Sequence, residues 1–530
     1  MSLGRNARDA QFPNLHVNRD AVVGNDLRSK YASCCYLHAT SRSRHASMTV
    51  DPLSIDAVIG PAGTSVPDGS TRFDTLQDAV AYADAFTGGD VVLNVPAGDY
   101  TAEGVISTSN ASSTSSLHIS GPRFDYHGKS YVDGHEIAGA WTGSGSGVAT
   151  ITVVGASVAV TAGGANPDFQ TTGVRIGDQI VVWLETGVVD GVYSVTSVAP
   201  TVLSLNAAPT VPVTAGQGYG FAFVPSVHVA GYNLADRQGD VNIENHYLPS
   251  PDASGYVVTA DNCRVFVVDT VVHRSNLACT DNALHFADSK VPYVELRGSA
   301  LVANRGMGVS HGIRGRVVDS VLAVPVTGIG AGEALSVGHG ARVMINGRVV
   351  MLGVPSNAMI ELSDGAHLMT ETNDDLHVLM QLPAAGGLAP ALSMRNVALA
   401  SLGSVHVERY DTYAVPASYS MHLQGSSKLH VQNLQSTLNN GVPAVNTGSH
   451  VYANTDSSVV VQAGTFDQGR YGLHGEGHAH LVGTAALVDN TDTLAVMVGS
   501  NAADGGTFAA PRTNVADGTA VLQGGVRYVV

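Results

Sequence analysis

The chain has 530 residues, of which 44% are hydrophobic and only 13% charged, and its formal net charge is −17. Because charged residues average about 25% in globular proteins, much of this chain must lie in a long core or under other chains. Four cysteines make no disulfide framework. We expect no membrane insertion and no export signal, since no apolar run reaches the roughly 18 residues of a spanning helix and the N-terminus lacks an apolar signal core.

Charge is unevenly distributed along the chain. Residues 1–50 carry seven Lys/Arg and three Asp/Glu, a net of +4, whereas the remaining 480 residues carry 20 and 41, a net of −21. A basic segment without a core of its own becomes ordered only when a partner holds it. We therefore interpret residues 1–50 as a basic arm that docks onto another component, and residues 51–67 as a Gly/Pro-punctuated linker.

Residues 68–137 carry the clearest local pattern. Phe73, Leu76, Val80 and Ala83 recur at helical spacing and predict a short amphipathic helix. Short strands separated by turns follow it. A helix in this place would cover the open edge of a stack of strands.

This stretch resembles the opening of pectate-lyase-like β-helices, especially those of bacteriophage tailspikes. In those proteins a D-G-x-x turn precedes a helix with a pattern like F-x-x-L-Q-x-A-V, and a strand ending in V-P-x-G-x-Y follows. The matching residues in this chain are, in order, Asp68-Gly69, Phe73, Leu76-Gln77, Ala79-Val80 and Val95-Pro96-Ala97-Gly98-Asp99-Tyr100. The resemblance implies the fold and implies no activity, because the same opening precedes lyases, hydrolases and binding proteins.

Residues 138–225 interrupt this pattern. They contain both tryptophans, Trp141 and Trp183, and strands of alternating polarity bounded by Gly/Asp turns. We predict a small inserted antiparallel β-barrel. Exposed insertions of this kind often carry recognition surfaces, although a spacer is an equal alternative.

Residues 226–500 are periodic. Short Val/Leu/Ile-rich segments recur about every 25 to 30 residues, which is too short for βαβ crossovers and typical of a solenoid. Together with the entry pattern, this predicts an all-β, right-handed parallel β-helix with a short capping helix. Residues 501–530 are predicted to cap it or to pair with neighbouring chains. The predicted repeat starts are Tyr256, Ala283, Val309, Ala334, Met359, Ala391, Tyr419, Ala444 and Leu473.

Acidic residues are densest in the repeat that starts at Met359. A glycosidase needs two carboxyl groups about 5 to 9.5 Å apart, and strands of successive repeats stack about 4.8 Å apart. Asp and Asn are also what turns require, and residues 359–390 contain no aromatic residue that could support a sugar ring. The catalytic candidates are Glu361, Asp364, Glu371, Asp374 and Asp375.

Histidine supplies the only metal candidate. His478 and His480 would share one face of a strand, and at a three-fold axis three such pairs would offer six imidazoles to iron or nickel. Exposed or stacked histidines are the competing interpretation. We expect no cofactor elsewhere, since neither a Walker A loop nor an H-E-x-x-H pattern occurs.

The leading hypothesis is a virion protein of the tailspike or tail-fibre type, which we expect to be a homotrimer. Residues 1–50 would bind another virion protein of the tail or capsid. Loops on the solenoid and the inserted barrel would attach to host surface polysaccharide or to another virion protein. We do not expect nucleic acid as a partner. A polysaccharide-depolymerising enzyme, either a glycoside hydrolase or a lyase, is the first alternative. A capsid-decorating protein without a host ligand is the second.

Overall fold

In the computed structural model, the described residues are 53–498 and 518–523, with internal gaps. The predicted basic arm, residues 1–50, lies outside the described residues. The gaps are residues 62–63, 87–88, 109–114, 133–148, 163–167, 185–188, 210–218, 235–236, 251–254, 275–280, 287–290, 325–331, 354, 356, 373, 381–388, 410–418, 439–447, 470, 477 and 489–492.

The entry is a set of short parallel strands and one helix. β1 pairs in parallel with β2, and β3 pairs with β6. The elements are β1 (Leu53–Ile59), β2 (Thr71–Phe73), α1 (Leu76–Asp84), β3 (Val91–Asn94), β4 (Gly98–Asp99), β5 (Val105–Ser107) and β6 (Leu117–Ser120), with a 3-10 turn at Thr101–Glu103.

Helix α1 confirms the predicted capping helix. The Thr75 hydroxyl accepts the Asp78 N–H at its N-terminus. The Glu103 carboxylate accepts the two preceding N–H groups, those of Leu76 and Gln77. Leu76 and Val80 are fully buried on its apolar face. Phe73 is also buried but lies in β2, so the helix begins three residues later than the spacing suggested.

The insertion is an antiparallel sheet. Its strand order is β7-β13-β10-β11-β12-β9-β8, and β8 lies beside β7 and β13, so the sheet curls back on itself as a barrel would. The strand β7 lies before the predicted start at residue 138. The strands are β7 (Ser130–Val132), β8 (Ala149–Val154), β9 (Ser157–Ala162), β10 (Gln179–Leu184), β11 (Val189–Val198), β12 (Val202–Leu205) and β13 (Tyr219–Val224).

A column of stacked parallel strands makes up the rest of the described chain. Its first strands are β14 (Val227–His228), β15 (Gly231–Leu234), β16 (Val241–Glu244), β17 (His246–Ser250), β18 (Val258–Ala260), β19 (Val265–Val268), β20 (Val271–Arg274), β21 (Leu284–Phe286), β22 (Tyr293–Arg297), β23 (Ala300–Val302), β24 (Met307–Val309), β25 (Arg314–Val318), β26 (Val321–Val324), β27 (Leu335–Val337), β28 (Arg342–Asn346) and β29 (Arg348–Gly353).

The later strands of the column are longer. They are β30 (Ile360–Leu362), β31 (His367–Thr370), β32 (Asp375–Met380), β33 (Leu392–Met394), β34 (Leu399–Arg409), β35 (Tyr419–Leu423), β36 (Lys428–Thr437), β37 (Ser449–Ala453), β38 (Ser458–Asp467), β39 (Tyr471–Glu476), β40 (His480–Val488), β41 (Thr493–Val498) and β42 (Gly518–Gln523).

Three faces enclose the column, and each turn of the chain around it is a rung. Face I stacks β3, β6, β16, β19, β22, β25, β28 and β31, and face II stacks β4, β14, β17, β20, β23, β26, β29 and β32. β34, β36 and β38 run through both of these faces. Face III stacks the short strands from β5 and β15 to β41. The predicted parallel β-helix is therefore confirmed.

The repeat predicted from the sequence corresponds to the spacing of the face III strands. Tyr256, Ala283, Ala334, Met359 and Ala391 each lie one or two residues before a face III strand. Tyr419 opens β35, whereas Val309 closes β24 and Leu473 lies within β39. Ala444 falls outside the described residues. Inward side chains of all three faces form one continuous apolar core along the column.

Single residues with positive φ make the corners between faces I and II. Asn245, Asp269 and Asp319 occupy this position in their rungs, and glycines occupy it in two others, as the left-handed conformation favours. Hydroxyl groups then stack along the corner, because the N–H of Thr270 donates to Ser299 Oγ at 3.1 Å. Such corners hold the rungs in register.

The insertion enters within one rung. β6 occupies face I of that rung, and β14 continues it on face II between β4 and β17. The chain leaves at Gly121, where a Cβ would lie 2.5 Å from the Asn245 carbonyl oxygen. The insertion packs Val181 and Trp183 into a second apolar cluster with outward residues of face II. At the other end of the column, β42 pairs antiparallel with β40.

Candidate functional site

Face III directs one central column of side chains outward, within which Tyr452 is covered by its neighbours to 8% exposure. Each short strand points its flanking residues inward and its middle residue outward, as in Leu335, Ser336 and Val337 of β27. Parallel pairing aligns these middle residues from rung to rung. The outward column is Asn233, Thr259, His285, Gly308, Ser336, Glu361, Ser393, His422, Tyr452 and His474.

Aromatic and imidazole rings gather at the later end of this column. Tyr419 stacks on Tyr452 with ring centroids 4.5 Å apart and planes 15° apart. His422 lies 5.1 Å from the Tyr452 ring, and the Tyr452 ring lies 5.0 Å from the His474 ring. Tyr471 adds a further ring 5.5 Å from His474. We call these five residues the face III cluster.

Burial and neighbouring charges set the electrostatics of the cluster. Burial, with Arg395 nearby, lowers the pKa of His422 to about 4, so this imidazole is neutral at pH 7. Burial and the Glu476 carboxylate raise the pKa of the Tyr419 phenol. The cluster therefore presents tyrosine rings and the neutral His422 imidazole, and the Glu476 carboxylate lies at its margin, 3.9 Å from the His474 imidazole.

Buried arginines hold the corners between faces II and III. Arg274 donates to the backbone carbonyls of Gly255 and Asp281, which lie in successive corners. Arg409, which is 0% exposed, donates to the carbonyl of Tyr419 at 3.3 Å. Since residues 410–418 join Arg409 to Tyr419, this bond fixes the first residue of the face III cluster.

Two of the predicted catalytic residues lie on or beside face III. Glu361 is a member of the outward column and forms an ion pair with Arg395 of the next rung. Asp364 has a positive φ of 52° in the corner between β30 and β31 and accepts a hydrogen bond from Asn396 at 2.9 Å. The geometry of Asp364 is that of a turn residue.

The other three lie at the opposite end of β31. Glu371 and Asp374 are in the corner before β32, and Asp375 opens that strand. The Asp374 carboxylate accepts hydrogen bonds from the N–H groups of Gly347 and Glu371 and from the Asn346 side chain. Asp375 lies 3.4 Å from the Arg348 guanidinium. Asp374 therefore has a structural role in closing its corner.

The structure does not bring the five candidates into one group. The four-residue strand β31 separates Asp364 from Asp374, a span of roughly 13 Å. Glu361 and Glu476 share face III but lie four rungs apart, roughly 19 Å. Both spans exceed the separation of about 5 to 9.5 Å that a glycosidase needs. The catalytic assignment stays a prediction.

The predicted metal residues lie at a corner. β39 ends at Glu476 and β40 begins at His480, so His478 is in the turn between them and is exposed. The expectation that both imidazoles share one strand face therefore does not apply. Within the described part of the chain, no three His, Cys, Asp or Glu side chains form a group that could hold a metal ion. The trimeric metal site stays a prediction.

Sequence analysis missed the face III cluster. Its signal is positional, because His422, Tyr452 and His474 are register partners in three successive rungs. That signal becomes visible only when the middle residue of each short strand is known to point outward. No helix among the described residues combines the length and apolarity that crossing a membrane demands.

Comparisons with known proteins give structural similarities only. No protein-family model matches the chain, and no curated protein matches it. The structure is similar to the tailspike protein gp49 from Pseudomonas phage LKA1, with 12% identity, a TM-score of 0.25, and coverage of 81% of this chain and 76% of that chain. It is also similar to the Gp54 tailspike of Acinetobacter baumannii bacteriophage AP22, solved in complex with A. baumannii capsular saccharide, with 10% identity, a TM-score of 0.23, and coverage of 79% and 76%.

Proposed function

We propose that this chain is a phage virion protein of the tailspike or tail-fibre type that attaches the particle to a host surface polysaccharide. The face III cluster is the observation that carries the proposal. The resemblance of residues 67–100 to tailspike openings supports the virion assignment.

The chemistry of the cluster suits sugar rings. Tyrosine and neutral imidazole rings present apolar faces with polar edges, which match the C–H faces and hydroxyl edges of a pyranose. Gln424 lies against His422, with 2.9 Å from Nε2 of the amide to Nε2 of the ring, and Glu476 adds an acceptor. Stacked rungs hold these groups in fixed positions, so binding needs little ordering of side chains.

The assembly follows from the same proposal. A column preceded in the chain by basic residues 1–50 is suited to a protein that is anchored in the particle through that segment. We propose a homotrimer, with residues 1–50 binding a tail or capsid protein. Deleting residues 1–50 should abolish incorporation into particles and leave a soluble, folded column. Normal incorporation of the deletion variant would contradict the anchoring role.

The binding site is tested by Tyr419→Ala. Tyr419 is half-buried and stacks on Tyr452, so its loss should weaken binding of host polysaccharide about tenfold or more. The measurement is affinity electrophoresis or calorimetry with purified capsular or lipopolysaccharide. Tyr82→Ala is the matched control, because Tyr82 is 47% exposed on the capping helix at the first rungs, away from the face III cluster. Unchanged affinity in Tyr419→Ala would exclude the face III cluster as the site.

Incubation with the same polysaccharide separates attachment from depolymerisation. We expect neither new reducing ends nor absorbance from unsaturated uronates. Glu361→Gln and Asp374→Asn should both retain binding. If the chain degrades the polymer and either change abolishes that activity, the protein is a depolymerase and the carboxylate prediction is correct.

A further inference from the structure

Face I carries a row of basic side chains along its outer surface. Parallel pairing aligns Arg314 with Arg342 and Arg342 with His367 on successive rungs. The same register continues through Leu399 to Lys428. We call Arg314, Arg342, His367 and Lys428 the basic ladder. The first two arginines and Lys428 are exposed, and His367 is half-buried.

The basic ladder differs from neighbouring arginines in lacking partners. Arg297 lies 2.5 Å from Glu295, and Arg316 donates to Asn346 at 2.6 Å. Within the described part of the chain, no carboxylate lies within 4.0 Å of the Arg314, Arg342 or Lys428 cations. These three cations thus have no counter-charge among the residues that the structure describes.

Electrostatics disfavours such an arrangement in the free protein. Like charges directly opposite each other on adjacent strands are destabilising, and Arg314 and Arg342 are register partners on adjacent rungs, about 4.8 Å apart. Lys428 lies three rungs beyond Arg342. The chain is also poor in cations, with 20 Lys/Arg in residues 51–530, of which three lie in this row. An anion bound along face I would remove the repulsion.

We propose that the basic ladder binds the carboxylates of an acidic polysaccharide lying along the column. The inference rests on the proposed function and specifies the class of polymer. Guanidinium groups pair with carboxylates in bidentate geometry, and a single row fits one linear chain. Tyr293 begins the row in register with Arg314, and the Phe266 ring lies beside the row, 5.6 Å from the Tyr293 ring. A net charge of −17 opposes a polymer as densely charged as nucleic acid.

The test is the double variant Arg314→Gln/Arg342→Gln of the full chain. The probes are polygalacturonate, neutral dextran and a short DNA duplex, with affinity measured by calorimetry or affinity electrophoresis. The variant should lose about tenfold in affinity for polygalacturonate, as expected for two exposed charge pairs. Arg72→Gln/Arg123→Gln changes the net charge equally at exposed or half-buried arginines outside the row and should bind polygalacturonate as the wild type does.

Three results would overturn the inference. Equal losses in both double variants would show a general charge effect. DNA bound as tightly as polygalacturonate, with the same loss in Arg314→Gln/Arg342→Gln, would show a site for any polyanion. A change in sedimentation mass in that variant, with affinity unchanged, would show an interface between copies.

Tyr419→Ala separates this inference from the proposed function. If Tyr419→Ala loses host polysaccharide while Arg314→Gln/Arg342→Gln keeps polygalacturonate, the inference fails and the face III site stands. If only the arginine variant loses binding, the face III site fails and the basic ladder stands.

Discussion

Faces I and III lie on the same apolar core and are made by the same stacking of parallel strands, yet their outer surfaces differ in chemistry. Face III has short strands with one outward position per rung, filled at its later end by tyrosine and histidine. Face I has longer strands with several outward positions, where arginines align. The inward residues determine the fold, so the outward columns are free to carry different recognition chemistry.

Acidification should have the largest effect on the stability of the fold. It should act through the buried imidazoles rather than through those on the outer surfaces. Burial lowers the pKa of His246 to about 4 and of His450 to about 3, from 6.5. Between these values the unfolded chain binds protons that the folded chain does not, so stability is complete above about pH 6.5 and falls as the pH approaches 4. Each of these fully buried imidazoles should lower the free energy of unfolding by roughly 3 kcal/mol as the pH falls through this window.

His450→Gln measures that contribution. It should flatten the loss of stability between pH 6.5 and pH 4 in urea titrations, as the lowered pKa of His450 predicts. His430→Gln, which removes an imidazole from the outer surface of face I, is the matched control. Equal slopes in wild type and His450→Gln would contradict the assignment.

Arg409→Ala should affect face III and spare face I. It removes a fully buried guanidinium that holds the Tyr419 carbonyl, and we expect a loss of about 3 kcal/mol in the free energy of unfolding. Host polysaccharide binding should weaken, whereas polygalacturonate binding should persist. Arg72→Ala, at an exposed ion pair, should change stability by less than about 1 kcal/mol. Parallel losses on both faces would show that the two surfaces are not independent.

Salt should distinguish the two faces in the wild-type protein. Raising ionic strength from about 0.1 M to about 1 M shortens the Debye length from about 10 Å to about 3 Å. Polygalacturonate binding at the basic ladder should therefore weaken several-fold, while binding of a neutral glycan at the face III cluster should change little. Titrations in both buffers test this, and a salt-insensitive basic ladder would contradict its electrostatic role.

The smallest effect is expected at the corner between the two faces. Val397 is a β-branched residue with a φ of 65° and is 58% exposed. Such a residue is strained in the left-handed region, so Val397→Gly should raise the free energy of unfolding by about 1 kcal/mol. Val397→Ala serves as the control, since its Cβ keeps the strain. Denaturant midpoints measure both, and equal midpoints would show that the corner is relaxed.

The fold could be predicted because its signals are local and repeated. The capping helix follows from Leu76, Val80 and Ala83, and the column from the spacing of face III strands. The division between faces I and II could not be predicted, because in several rungs one residue with positive φ, such as Asp269 or Asp319, makes the corner. Corners this short leave no interval of sequence that separates two strands.

The candidate site was harder to predict, because acidic residues that are close together in the sequence need not be close together in the structure. Asp364 and Asp374 are near in sequence, but β31 separates them, and both are turn residues. His422, Tyr452 and His474 are far apart in sequence and adjacent in space. They are related only by the register of the strands, and a one-residue slip in that register would turn these side chains inward.

The insertion could be removed or replaced at the rung that contains Gly121 and Val227. Because β6 and β14 are consecutive strands of that rung, a short linker between these two residues would close the column without the insertion, and a different module could be spliced at the same joint. The graft would need to shield Tyr247 and Val271, which now pack in one cluster with Trp183. Inserted modules could thus be exchanged at this rung, provided that each brings its own apolar patch for face II.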